Sequence, residues 1–234
     1  MWDNAALLRG IANALLAFSV LAVLYGAAYY LVHLPGLFPL KSVRLDAAPQ
    51  RVDAQEVLAV ARGAVQGNFF TVDIGRLRQS LERLSWVRSV SIRRKFPDRL
   101  EVGIEEHQAL ARWNGTALVN THGEVFSAQS EQPLPAFIGQ TGDSFEVAQR
   151  YGEFSRQLAA VKLQVTQLVL SPRHAWQLRL SNGMVLELGR EEMQQRLARF
   201  VAVYPYSLAT RAGSVRYVDM RYHNGFAVAG MARS

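Results

Sequence analysis

Residues 86–106 read WVRSVSIRRKFPDRLEVGIEE, with arginine and lysine crowded before Pro97 and acidic residues gathered after it. Val90, Ile92 and Phe96 share one parity, and Leu100, Val102 and Ile104 continue it beyond the proline. The positions between them are polar on both sides: Ser91, Arg93 and Lys95, then Glu101, Gly103 and Glu105. Period-two alternation flanking a Pro-Asp step predicts a β-hairpin. Parity also constrains the loop, because both apolar sets reach one face only if paired residue numbers sum to an even number. An odd loop such as Pro97-Asp98-Arg99 meets this condition, setting Lys95 opposite Glu101 and Ile92 opposite Ile104. Arg94, the one polar residue of the apolar parity, is expected near a sheet edge. Arginines engaged across a hairpin are less free for phosphate, so the charge sorting favours paired strands over a nucleic-acid patch.

Working outward, LKSVRLDAA (40–48) alternates as a short strand. Asp53 opens DAQEVLAVARG with Glu56 three residues on, a capping-box spacing, and Gly63 is the expected C-cap. Asp73 caps a second helix with Leu77, Leu81 and Leu84 on one stripe. Residues 40–106 therefore read as strand, helix, helix, strand, strand.

Before this unit, GIANALLAFSVLAVLYGAAYYLVHL (10–34) lies in a stretch between Arg9 and Lys41 with no charged residue. A helix crosses the hydrocarbon core with about 20 apolar residues, and this run is longer than the h-region of a cleaved signal peptide. Tyr25, Tyr29 and Tyr30 cluster where an aromatic belt belongs. Arg9 and Asp3 precede the span and Lys41 and Arg44 follow it, so charge asymmetry does not orient it. The short tail 1–9 leaves all foldable chain after the span.

The remainder, 107–230, alternates strands and amphipathic helices. ARWNGTALVNTHGEVF carries turn signals at Asn114-Gly115 and His122-Gly123, and EQPLPAF (131–137) reads as a loop. Ser144 is the expected cap of a helix bearing Val147, Tyr151, Phe154 and Leu158. LQVTQLVLS and AWQLRLSNGMVLELG read as strands, and parity predicts a loop such as Asn182-Gly183-Met184 with Gly183 left-handed. A helix over REEMQQRLARFVAVY and a strand with an Asn-Gly turn, SVRYVDMRYHNGFAVAG, close the chain. The fold class is α+β: one transmembrane helix, a β-α-α-β-β unit, then a mixed, largely antiparallel β-sheet domain with flanking helices.

Composition narrows function. The net charge of +7 invites an anionic partner, but the aromatic-basic interleaving of a single-strand nucleic-acid platform is missing. There is no cysteine, which removes disulfides, thiolate metal sites and thiol nucleophiles. The five histidines are scattered, and no P-loop, G-x-S-x-G or G-x-G-x-x-G is present. No catalytic, cofactor-binding or metal-binding residue is assigned, and no small-molecule substrate is expected. A last strand running into Tyr222-His223-Asn224-Gly225 is expected near a sheet edge, where unpaired backbone groups accept another chain.

The β-α-α-β-β unit after a membrane anchor resembles a POTRA domain. WVRSVSIRRKFPDRLEVGIEEHQALARW is more specific and resembles the bacterial cell-division family FtsQ/DivIB. Trp86, Val87, Arg93, Phe96, Pro97, Leu100, Val102, Ile104, Glu106, Ala111, Arg112 and Trp113 fit that pattern. AWQLRLSNGMVLELGR, RLARFVAVYP and YVDMRYHNGFAV look like the family's second, β-rich domain. The resemblance implies a single-pass inner-membrane division scaffold with the N-terminus cytoplasmic. It implies a POTRA domain at 40–106 and a β-domain at 107–230 in the periplasm, acting at midcell. It further implies docking of the FtsB–FtsL subcomplex, with Tyr222, Asn224, Gly225 and Arg173 at the matching positions, and a link to septal peptidoglycan synthesis. The tail is short for the family. Gly230 and Met231 stand where some members carry a Trp, leaving without support any contact made by that residue. The other readings are a POTRA chaperone or transport module for outer-membrane proteins and a tethered nucleic-acid binder.

Overall fold

The computed structural model describes residues 5–34, 36–211 and 215–230; positions 1–4 of the expected tail lie outside the described residues, as does Met231. The chain divides into two compact units, one ending at Glu106 and the other beginning at His107.

The first unit begins with α1 (Ala5–His33). Leu7–His33 is long and apolar enough to cross a membrane, and none of it is buried against the protein. It continues through β1 (Ser42–Leu45), α2 (Ala54–Ala64), α3 (Ile74–Glu82), β2 (Val87–Lys95) and β3 (Arg99–Glu106). The sheet order is β1-β3-β2, with β3 central, parallel to β1 and antiparallel to β2. Asp53 and Asp73 start the helices by accepting from the amides of Gln55 and Arg76 at 2.8 and 2.9 Å. Asp53 thus bonds the amide of Gln55 and not that of Glu56, and among the described residues Glu56 returns no bond to Asp53, so Asp53 acts as a simple cap without the expected box. Gly63 is not the C-cap. The helix runs on to Ala64 and stops at extended Val65, which needs no left-handed residue. Val57, Ala61, Leu77 and Leu81 bury their stripes against Val90, Leu100 and Val102 of the sheet. Each such valine or leucine fully removed from water contributes about 1.5–3 kcal/mol.

The hairpin has the odd loop that parity demands, but its register is two residues from the expected one. Lys95 pairs with Arg99, Arg93 with Glu101, Ile92 with Val102 and Val90 with Ile104, so the loop is Phe96-Pro97-Asp98. A shift of two conserves the inward face, which is why the alternation alone did not choose between the registers. Lys95 still reaches Glu101, diagonally, at 3.4 Å. Phe96 leaves the apolar face because it is now a loop residue, and it is 72% exposed. Arg94 sits on edge strand β2 and donates to the carbonyls of Val72 and Phe70 at 3.1 and 3.4 Å.

The second unit contains β4 (Ala109–Trp113), β5 (Ala117–Asn120), β6 (Val125–Phe126), β7 (Ala136–Ile138), α4 (Ser144–Leu158), β8 (Val165–Leu170), β9 (Trp176–Leu180), β10 (Val185–Gly189), α5 (Met193–Val203), β11 (Val215–Asp219) and β12 (Ala227–Gly230). They form one nine-stranded sheet ordered β12-β11-β10-β9-β8-β7-β4-β5-β6. It is antiparallel except at β4/β7, β7/β8 and β10/β11. Phe154 of α4 and Leu197 and Phe200 of α5 share a core with Phe137, Trp176, Leu178 and Leu186. Three expectations change. The end of EQPLPAF is a strand, because its terminal residues add β7 between β4 and β8 and bury Phe137 completely. Ser144 is the first helical residue, with Asp143 at the cap; its hydroxyl donates instead to Gly123 O at 2.7 Å. The β9–β10 loop is Ser181-Asn182-Gly183, one residue earlier than expected. That register buries both Leu180 and Met184, and Gly183 is left-handed as expected, at φ 83°.

Candidate docking edge

The sheet ends differently on its two sides. β6 has two residues, too short to template another strand, whereas β12 has four, all exposed. In an antiparallel strand alternate residues turn both N–H and C=O to the same side. Among the described residues β12 gives one side to β11 and leaves the other open. The expected edge strand thus lies beyond Tyr222-His223-Asn224-Gly225. β11 stops at Asp219, and the segment forms the turn that delivers β12.

The turn is held from within. Asp219, nearly buried, accepts the Arg221 amide at 3.0 Å and its guanidinium at 2.6–3.1 Å. These bonds from Arg221 hold the Asp219 carboxyl below the usual carboxylate range, against a burial that alone would raise it, and push the arginine higher still. On β11, burial and then the Glu187 charge raise the Tyr217 phenol. Met220 N donates to Glu187 O at 2.9 Å, and Arg199 of α5 donates to the His223 carbonyl.

Outside this anchorage the turn is open. Tyr222 is 58% exposed rather than in the core, and Asn224 is exposed. Gly225 is not left-handed, and a Cβ built on it meets nothing within 4 Å. No contact among the described residues therefore requires glycine there. Tyr222, Asn224 and Gly225 line one shallow recess of about 430 Å³ with Phe226 and Ala227.

Arg173 is placed at the tip of the β8–β9 connection, where Ser171 closes a tight turn by accepting the His174 amide at 2.8 Å. Because β9 runs against β10 and β10 runs with β11, this tip lies at the sheet end where β10 and β11 finish. Arg173 lines a second recess, of about 320 Å³, with Gly189, Arg190, Glu191, Arg196 and Arg221. Arg190 is engaged with Glu191 at 3.2 Å, Arg196 with the Leu188 carbonyl and Arg221 with Asp219. Among the described residues Arg173 has no hydrogen-bond or ion-pair partner. Topology thus gathers three predicted residues into one recess and Arg173 into another, with Arg221 next to Tyr222 between them. Sequence reading missed Arg221, Arg199 and β12 itself; the D-x-R spacing of Asp219 and Arg221 was the available signal for the anchored turn. Among the described residues no group of three His, Asp or Glu is placed to hold a metal.

The strand-helix-helix-strand-strand unit behind an apolar helix defines a POTRA-bearing protein, and residues 38–107 match the family description "POTRA domain, FtsQ-type". Residues 111–221 match "Cell division protein FtsQ/DivIB, C-terminal", ending one residue before Tyr222. The chain is 40% identical over 235 residues to the cell division protein FtsQ of Nitrosospira multiformis, covering 98% of this chain and 99% of the relative. It is 38% identical to that of Burkholderia pseudomallei (99% and 96% covered) and 36% identical to that of Bordetella pertussis (98% and 93%). The chain belongs to the FtsQ/DivIB family of cell-division proteins. A POTRA module for outer-membrane proteins does not account for the match of the second unit.

Proposed function

We propose that this chain is a non-enzymatic scaffold of the bacterial division machinery, anchored in the inner membrane by a single span at residues 10–34. Residues 1–9 form the cytoplasmic tail, and the POTRA domain (40–106) and β-domain (107–230) occupy the periplasm at midcell. The β-domain binds the FtsB–FtsL subcomplex and so links early division proteins to those that build septal peptidoglycan. Its action is recruitment, with no cofactor, small-molecule substrate or nucleic acid involved.

The observation that carries this reading is the open edge of β12 beside a recess lined by Tyr222, Asn224 and Gly225. An extended segment of FtsB adds to that edge through main-chain hydrogen bonds. Tyr222 supplies an amphipathic anchor, open Gly225 admits the partner backbone, and unpaired Arg173 meets an acidic side chain. The apolar α1 and the family membership support the anchor and the division role. The test is the affinity of the full chain for the FtsB periplasmic segment before and after Tyr222→Ala. A loss of tenfold or more is expected on the order of what a buried aromatic anchor contributes. Unchanged affinity removes the site.

A further inference from the structure

The first unit carries a patch of exposed aromatic rings that its own core does not use. Phe38 and Phe70 are 42% and 44% exposed, Phe96 is 72% exposed, and Leu37 lies beside Phe38 with 40% of its surface open. The rings are continuous: Phe38 meets Phe70 edge-on at 5.1 Å, Phe70 meets Phe69 at 5.1 Å, and Phe69 meets Phe96 at 6.0 Å. Chains in water rarely leave such a contiguous apolar surface uncovered without a partner.

The patch is fixed to the end of α1. Asn68, 1% exposed, donates its side-chain amide to the carbonyls of Val32 and Leu34 at 2.6 and 3.3 Å. Its Oδ1 accepts the amides of Phe70 and Thr71, both at 3.0 Å. Phe69 N donates to Phe38 O at 2.9 Å. One buried asparagine therefore joins the last carbonyls of the apolar helix to the turn that displays the rings.

Length then sets the depth. The uncharged run from Gly10 to the helix end at His33 extends about 36 Å at ~1.5 Å per residue, against a hydrocarbon core of about 30 Å. The last turns of α1 emerge into the interfacial layer, where Tyr29 and Tyr30 belong, and the phenylalanines follow directly. Basic side chains adjoin the rings: Arg94 donates to the Phe70 carbonyl at 3.4 Å, and Lys41 and Arg99 reach Asp98, two residues after Phe96, at 3.3 and 3.8 Å.

We propose that the Phe38–Phe70–Phe96 face is a membrane-seating surface, inserting into the headgroup–acyl boundary of the leaflet on the domain's side and holding the POTRA unit against the bilayer. Apolar surface buried to about 5–10 Å in that boundary, flanked by basic side chains, is the arrangement of interfacially bound proteins. The proposal rests on α1 being a membrane span.

The absence of cysteine permits a direct test. The full chain is reconstituted in nanodiscs of phosphatidylethanolamine and phosphatidylglycerol, with a single nitroxide at Val20→Cys, Gln50→Cys, Phe70→Cys or Phe96→Cys. Gln50 is exposed at the Glu106 end of β3, about 23 Å along that strand from Arg99 at ~3.3 Å per residue. Labels at 70 and 96 are expected to collide with dissolved oxygen in preference to an aqueous nickel chelate, with nickel access at least about threefold below that at position 50. Nickel access at 70 and 96 equal to that at 50, with position 20 protected, overturns the seating surface and leaves the span intact. Nickel access at position 20 overturns the span and the seating together. Dipolar broadening at position 70 that disappears on dilution with unlabelled chain identifies a second copy as the occupant and also overturns the proposal.

Discussion

Glu106, at the end of β3, accepts backbone amides from three consecutive residues of the loop before α2: Gln50 at 3.0 Å, Arg51 at 2.8 Å and Val52 at 2.9 Å. One carboxylate thereby ties the last strand of the POTRA unit to the entry of its first helix, and Arg51 continues the link by lying 4.5 Å over the Trp86 ring. Burial alone would raise the Glu106 carboxyl, but the three amides outweigh it and hold the group below its ordinary value. Glu106→Ala removes all three bonds. Because the freed amides are near the surface and recover water, the cost is about 2 kcal/mol rather than the full sum of three charge-assisted bonds. Glu106→Gln keeps an acceptor for Arg51 and Val52 but turns an N–H toward that of Gln50, at about 1 kcal/mol. Amide hydrogen exchange of the full chain in detergent micelles reads this locally. At ~1.4 kcal/mol per tenfold, Glu106→Ala should speed exchange at Gln50–Val52 about thirtyfold, with core amides of the second unit unchanged. The pKa is depressed, so the stabilisation is present above the unfolded value of 4.5 and is lost as pH falls through the folded one. The wild-type difference from Glu106→Ala should therefore vanish in acid. Equal exchange of wild type and variant at neutral pH refutes the reasoning.

Asp219→Asn removes the charge that Arg221 clasps; exchange at residues 221–226 should rise, and the same loosening should occur in the wild type as acid protonates Asp219 below its lowered pKa. A Cβ on Gly225 meets no atom within 4 Å, so Gly225→Ala should change thermal unfolding by less than about 0.5 kcal/mol while partner binding falls at least about tenfold. Gly123→Ala combines a φ of 80° with a Cβ 2.6 Å from Phe145 Cα, and denaturant unfolding should show a loss of more than about 1 kcal/mol. Trp176→Ala, at the centre of the second core, should cost about 3–5 kcal/mol in the same measurement.

Much of the architecture was readable because burial imposes parity. Val90, Leu100 and Val102 face the helices whichever register is chosen, so alternation predicts the hairpin, its odd loop and its inward face. It does not distinguish registers two residues apart, and in both hairpins the structure takes the neighbouring solution. β7 escaped notice because three residues after Pro133 and Pro135 carry no period of their own; they become a strand only through neighbours distant in sequence. The proposed site was legible in part. Tyr222, Asn224 and Gly225 came from the resemblance together with an expected edge, and the structure places that edge on β12, beyond the turn. Arg221 and Arg199 were not legible, since their roles depend on a buried Asp219 and on a carbonyl presented by another element. The aromatic patch was hidden by the same parity that revealed the hairpin, which assigned Phe96 to the core.

The central claim is that β12 receives a partner strand. Residue-resolved amide exchange of the full chain, with and without the FtsB periplasmic segment, tests it most directly. The account predicts new protection at alternate amides of Ala227–Gly230, where the N–H groups point away from β11, together with slowed exchange around Tyr222–Gly225. Protection elsewhere with β12 amides unaltered contradicts it.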